Sequence, residues 1–101
     1  MSERKRATLT DVVCVSANQL ASRVGDEVAI LDLDHSVYYG LDPVGARIWE
    51  LLQQPTALSS VLATILAEFE VDDATARVDL LALVDELADK HLVELRAGDA
   101  A

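Results

Sequence analysis

Asp32-Leu33-Asp34-His35 gathers two carboxylates and an imidazole within four residues, and it is the first place in the 101-residue chain to look for chemistry. Such a group could ligate a cation or move a proton. A calcium loop, however, needs a glycine and a glutamate at fixed later positions, and neither follows at that spacing. His91 stands alone near a helix end, and no serine or cysteine shares a triad-like pattern with either histidine. Cys14 is the single cysteine, so no internal disulfide can form; within the apolar run Val12-Val13-Cys14-Val15 it reads as a buried, inert thiol. Gly40 and Gly45 do not make a phosphate loop. The expectation is a binding protein rather than an enzyme, with no catalytic residue, no metal and no cofactor.

The chemistry that remains belongs to the backbone. Residues 36–52, Ser-Val-Tyr-Tyr-Gly-Leu-Asp-Pro-Val-Gly-Ala-Arg-Ile-Trp-Glu-Leu-Leu, hold three of the four aromatic residues. Strand alternation puts Val37, Tyr39 and Leu41 on one face and Tyr38 and Gly40 on the other. Trp49 and one tyrosine are expected to brace sheet against helices, leaving the other tyrosine for an incoming chain. Alternation does not say which is which. A strand that closes a meander offers unpaired N–H and C=O groups, and an extended peptide can add to it.

The elements that position this strand can be read from pattern. Residues 12–41 alternate in short apolar runs broken by Gly25-Asp26 and by residues 34–36, which predicts one small antiparallel meander. At Leu41 the period changes. Asp42-Pro43 is a helix start, a capping oxygen followed by a residue that needs no N–H there. Gln53-Gln54-Pro55 ends that helix, Thr56 is expected to cap the next, and Asp72 or Asp73 caps a third that reaches about Lys90. Residues 91–96 read as a short final strand. The expected fold is α+β, a small antiparallel β-meander followed by three α-helices in a winged helix-turn-helix-like outline. Residues 1–10 are expected to form a flexible tail, 11–96 a peptide-binding domain and 97–101 a C-terminal tail.

The third helix carries more apolar surface than one packed face uses. Leu80, Leu83, Val84 and Leu87 make a stripe, and Leu81, Ala88, Leu92, Ala74 and Val78 continue it around the cylinder. Either the helix is buried on two sides, or part of this arc, with Val78, Leu81, Asp85 and Ala88, lines a cleft beside the strand.

The apolar strand, the turn, the tyrosine-rich strand ending in Leu41-Asp42, and Gly45, Ile48, Trp49, Leu51 and Leu52 ahead of a helical pair together resemble the PqqD-like family over about residues 12–96. Leu41-Asp42 replaces a commoner Leu-Asn, and His91 stands where glycine often precedes Leu-Val. The resemblance implies a RiPP recognition element, which holds the leader of a ribosomally made precursor peptide as an added strand and delivers it to modifying enzymes. Carried over, the peptide-binding residues are Val37, Tyr38, Tyr39, Gly40 and Leu41 on the strand and Arg77, Val78, Leu81, Val84, Asp85 and Ala88 on the third helix. The implied partners are a precursor leader peptide with a leader peptidase and a cyclase, in lasso-peptide biosynthesis, an assignment favoured by the short, stand-alone chain. Pyrroloquinoline quinone biosynthesis with a radical-SAM partner is the alternative.

Two other classes compete. A winged helix suggests DNA binding, but residues 72–90 hold six acids against one arginine and one lysine, and the formal net charge is −10, the wrong sign for phosphate contact. A homodimer could instead fill the surplus arc. The apolar runs are too short and too interrupted by charge to span a bilayer, and the N-terminus lacks the apolar stretch of a secretory signal, so a cytoplasmic protein without membrane contact is expected.

Overall fold

The structure, a computed structural model, describes residues 6–17, 19–34 and 36–97, with Val37 described by its backbone alone. The elements in chain order are β1 (Val12–Val15), β2 (Gln19–Val24), β3 (Glu27–Asp32), β4 (Val37–Leu41), α1 (Pro43–Leu51), β5 (Thr56–Ala57), α2 (Leu58–Glu68), α3 (Asp73–Asp89) and β6 (Val93–Arg96). The fold is α+β, and the three helices lie where the sequence put them.

The strands are arranged differently from the single meander expected. Only β2, β3 and β4 form it, in the order β2-β3-β4. β1 leaves and joins a second antiparallel sheet, β5-β1-β6, in register Val12↔Arg96 through Val15↔Val93. Val13 is fully buried at its centre, so a chain-end strand is held by burial and by a partner some 80 residues away.

Local chemistry fixes each corner. Val24 pairs with Glu27 across Gly25-Asp26, and the left-handed φ of 64° falls on Gly25, the first loop residue, as a II′ hairpin turn requires. In the next turn the Asp34 N–H donates to Asp32 Oδ1 at 2.9 Å and the Ser36 N–H to the Asp32 carbonyl at 2.8 Å. Asp32 is buried, and its carboxylate and carbonyl build this turn from inside the fold. His35 lies outside the described residues.

Asp42 caps α1 as expected, its Oδ1 accepting the Gly45 N–H at 2.8 Å with Pro43 in the first turn. A Cβ on Gly45 would stand 3.2 Å from that Oδ1 and 3.3 Å from the Leu41 side chain, so glycine lets α1 start tight against the end of β4. Thr56 does not cap α2. Its hydroxyl donates to the Leu51 and Gln54 carbonyls, closing the preceding turn. The first N–H groups of α2 are met by the N-terminal segment instead: Leu58 donates to the Asp11 carbonyl at 3.0 Å and Ser59 to the Leu9 carbonyl at 2.9 Å. Residues 6–10, expected to be tail, are thus part of the fold, and Ala7 is buried. Residues 1–5 and 98–101 lie outside the described residues.

Asp72 caps α3 by accepting the Thr75 N–H at 3.1 Å. At its other end the His91 N–H donates to the Ala88 carbonyl and the Leu92 N–H to the Leu87 carbonyl, with His91 left-handed at φ 61°. That bond pair is a Schellman closure with histidine where glycine is usual. The core joins Ile30 and Leu41 of the meander to Trp49, Leu58, Val61, Leu80, Val84, Leu87 and Leu92.

Candidate functional site

β4 pairs with β3 on one side only, Val28↔Leu41 through Asp32↔Val37. In an antiparallel ladder alternate residues exchange both bonds with their partner, so those between them turn N–H and C=O outward. β4 therefore presents a free hydrogen-bonding margin among the described strands. Its pleat also settles the two tyrosines. Tyr38 is 66% exposed on the outer face of the meander, while Tyr39 is half-buried and points with Leu41 toward the helices.

Beside this margin lies a groove of about 540 Å³. Tyr39, Gly40 and Leu41 form one wall, and Asp42, Val44 and Gly45 carry it onto the start of α1. The opposite wall is α3, through Thr75, Ala76, Asp79, Leu80, Ala82, Leu83 and Glu86, with Ile65 and Val71 closing the base. The volume is in the range of ligand pockets, and most of the lining is aliphatic or small. At one end the Tyr39 hydroxyl donates to Glu86 Oε1 at 2.6 Å, and Lys90 Nζ sits 5.7 Å from the Tyr39 ring centroid. Burial and the neighbouring Glu86 carboxylate push the Tyr39 phenol up to about 12. This link ties the edge strand to α3 and fixes the width of the groove there.

Of the strand residues expected to bind peptide, Tyr39, Gly40 and Leu41 line the groove, Tyr38 lies on the outer face, and the side chain of Val37 is not described. The expected helix residues are not on it. Arg77, Val78, Leu81, Val84, Asp85 and Ala88 all belong to other sides of α3. Arg77 pairs with Asp73 at 3.0 Å, and Val78 is 65% exposed. Leu81 packs on the core, and Val84, Asp85 and Ala88 are buried. Asp85 accepts the Ala7 N–H at 2.8 Å and meets Arg6 at 3.4 Å, so the chain's own N-terminal segment covers that flank. The surplus apolar arc is real; the N-terminal segment covers it at Asp85, while Val78 stays exposed. The groove uses the stripe of Leu80 and Leu83, which the helical period alone assigns to the core. Along the groove side Thr75, Asp79 and Glu86 recur on one line, but the other flank carries Arg77 and Asp85, so polarity alone does not separate the two.

Cys14 is half-buried and its thiol points to the Gln53 carbonyl at 3.9 Å, away from the groove. Among the described residues no three His, Cys, Asp or Glu side chains gather as metal ligands, and no helix is long and apolar enough to cross a membrane.

The family model for coenzyme PQQ synthesis protein D (PqqD) matches residues 27–93, the span from β3 to β6 that builds the groove. A search of curated proteins finds no match. Among solved structures, TbiB1 in complex with the TbiA(beta) leader peptide is 36% identical in sequence, with a TM-score of 0.74, covering 87% of this chain and 99% of that one.

Proposed function

The chain belongs to the PqqD family, and from that premise we propose that it binds the leader of a ribosomally made precursor peptide as a strand added to β4. The observation that carries this reading is the unpaired edge of β4 running beside an open, largely apolar groove against α3. Each added backbone bond contributes roughly 0.5–1.5 kcal/mol net, so a few bonds alone bind weakly. Side chains entering the groove must supply the rest of the roughly 8 kcal/mol of a micromolar complex. The likeness to TbiB1, solved with a leader peptide, supports the same mode of use. The role is capture and presentation in the cytoplasm, where ribosomal precursors are made, with the chemistry left to partner enzymes.

We assign the pathway as lasso-type, with a separate leader peptidase and cyclase, on family resemblance. The description of the matching family model favours a second reading, coenzyme PQQ synthesis with a radical-SAM partner.

Titrating the isotope-labelled chain with the TbiA(beta) leader peptide tests the site. Amide shifts and new exchange protection are expected at residues 38–41 and along residues 75–86. Ala82→Trp, which places an indole at the groove wall, should abolish them while leaving the helical circular dichroism intact. Shifts confined to β1 and β6, or the same affinity for Ala82→Trp, would rule the groove out.

A further inference from the structure

The groove has a charge pattern that the apolar argument leaves unused. Its ionisable lining consists of Asp42, Asp79 and Glu86, with Tyr39 as the remaining titratable group; none is basic. These acids are not equivalent. Glu86 accepts the Tyr39 hydroxyl, and Lys90 stands close by over the same ring. That end is partly compensated. Asp42 uses one oxygen to cap α1. Asp79 has no hydrogen-bond or ion-pair partner among the described residues, and it is exposed on the α3 wall. The described arginines nearest in sequence are engaged elsewhere, Arg77 with Asp73 and Arg47 with Glu50 and Glu68.

We propose that the groove selects an extended segment carrying a lysine or arginine on the same face as its apolar anchors, seated at the Asp42–Asp79 end. This rests on the reading of the groove as a peptide site and specifies the peptide. A strand added to β4 turns every second side chain toward α3. Its apolar residues would meet Leu41, Leu80 and Leu83, and a cation two residues along would reach Asp79. An acidic side chain in that place would face two carboxylates within a chain of formal charge −10. The pattern therefore rejects as well as attracts, which is how charge at an interface sharpens specificity.

The probe is a random ten-residue peptide library displayed as messenger-RNA fusions and selected on the full chain. Selected sequences should carry Lys or Arg two or four positions from a Leu, Ile, Val or Phe, and should be depleted of Asp and Glu there. The exposed Asp79→Lys variant should invert the preference toward Asp and Glu. One selected basic peptide should bind Asp79→Asn about three- to fivefold more weakly than the unaltered chain at low salt, as for an exposed ion pair, with the gap closing at high salt. Enriched apolar peptides without charge preference that Ala82→Trp no longer binds would overturn the cation proposal and leave the groove standing. Enrichment that ignores Ala82→Trp, or no enrichment at all, would overturn both.

Discussion

Tyr39 shows how one side chain can be wall, tether and probe together. Its ring lines the groove, its hydroxyl donates to Glu86, and its phenol is pushed up to about 12 by burial and by that carboxylate. The folded state therefore keeps this proton where the unfolded chain, near 10, has begun to lose it. The stabilisation is fully present below pH 10 and is lost as pH rises toward 12. Ultraviolet titration should show a phenolate phase centred near pH 12 that Tyr39→Phe removes; a phase surviving in that variant would locate the shifted tyrosine elsewhere. Trp49 poses the opposite case. It is 3% exposed, and its Nε1–H has no acceptor among the described residues. Trp49→Phe removes an unsatisfied donor along with some contact area, so we expect a loss within about 1.5 kcal/mol, against about 3–5 kcal/mol for Trp49→Ala. Urea midpoints separate the two, and equal losses would mean that the indole N–H has a partner after all. Sequence alternation split Tyr38 from Tyr39 correctly but could not orient them. The inward face is decided by Ile30 and Leu41 packing under α1, contacts between segments that no local pattern records.

Among the elements, helices were legible and strand pairing was not, for a physical reason. Asp42-Pro43 and Asp72 announce helix starts through bonds that close within three residues. β1 announces only that it is a strand, because its partners are Thr56, Ala57 and the distant β6. Which flank of α3 faces the groove is hidden from local pattern in the same way. Asp85 looks spare until residues 6 and 7 return to it. The Asp85 carboxylate is the anchor of that return, since it accepts the buried Ala7 N–H. Asp85→Ala should cost about 1–3 kcal/mol by urea unfolding and should speed exchange of the Ala7 amide; an unchanged Ala7 amide would show that the segment is held without it. The His91 closure allows a change in the other direction. A left-handed φ of 61° is strained for histidine and free for glycine. His91→Gly should raise stability by about 0.5–1 kcal/mol. A loss instead would mean that the imidazole contributes more than its backbone costs.

At the scale of the whole molecule the dominant fact is charge. Eighteen acids face eight bases, and the Cα radius of gyration is 13.2 Å. At about 0.01 M salt the screening length is roughly 30 Å, longer than the protein's radius, so every unpaired carboxylate feels the others. At about 0.3 M it falls well below that radius, and only neighbours interact. Arg6, Arg23, Arg47 and Arg77 already sit in ion pairs, which leaves few cations to offset the remaining acids. Those surface pairs also weaken with salt, but exposed pairs contribute under about 1 kcal/mol each, and the Arg47–Glu68 brace between α1 and α2 is the best formed of them. Self-repulsion of the net charge should outweigh that loss. Raising NaCl from about 0.01 to 0.3 M should therefore stabilise the free chain by about 1 kcal/mol, a rise in Tm of roughly 4–8 °C for a domain of this size. The same salt should weaken a bound cationic segment. Stability rising while affinity falls is a signature that an apolar groove with a neutral ligand cannot produce. Calorimetric melts at the two salt concentrations, with and without a selected basic peptide, would show the two slopes crossing; a Tm that stays flat or falls for the free chain would mean that the acids are compensated locally and that the repulsion is absent.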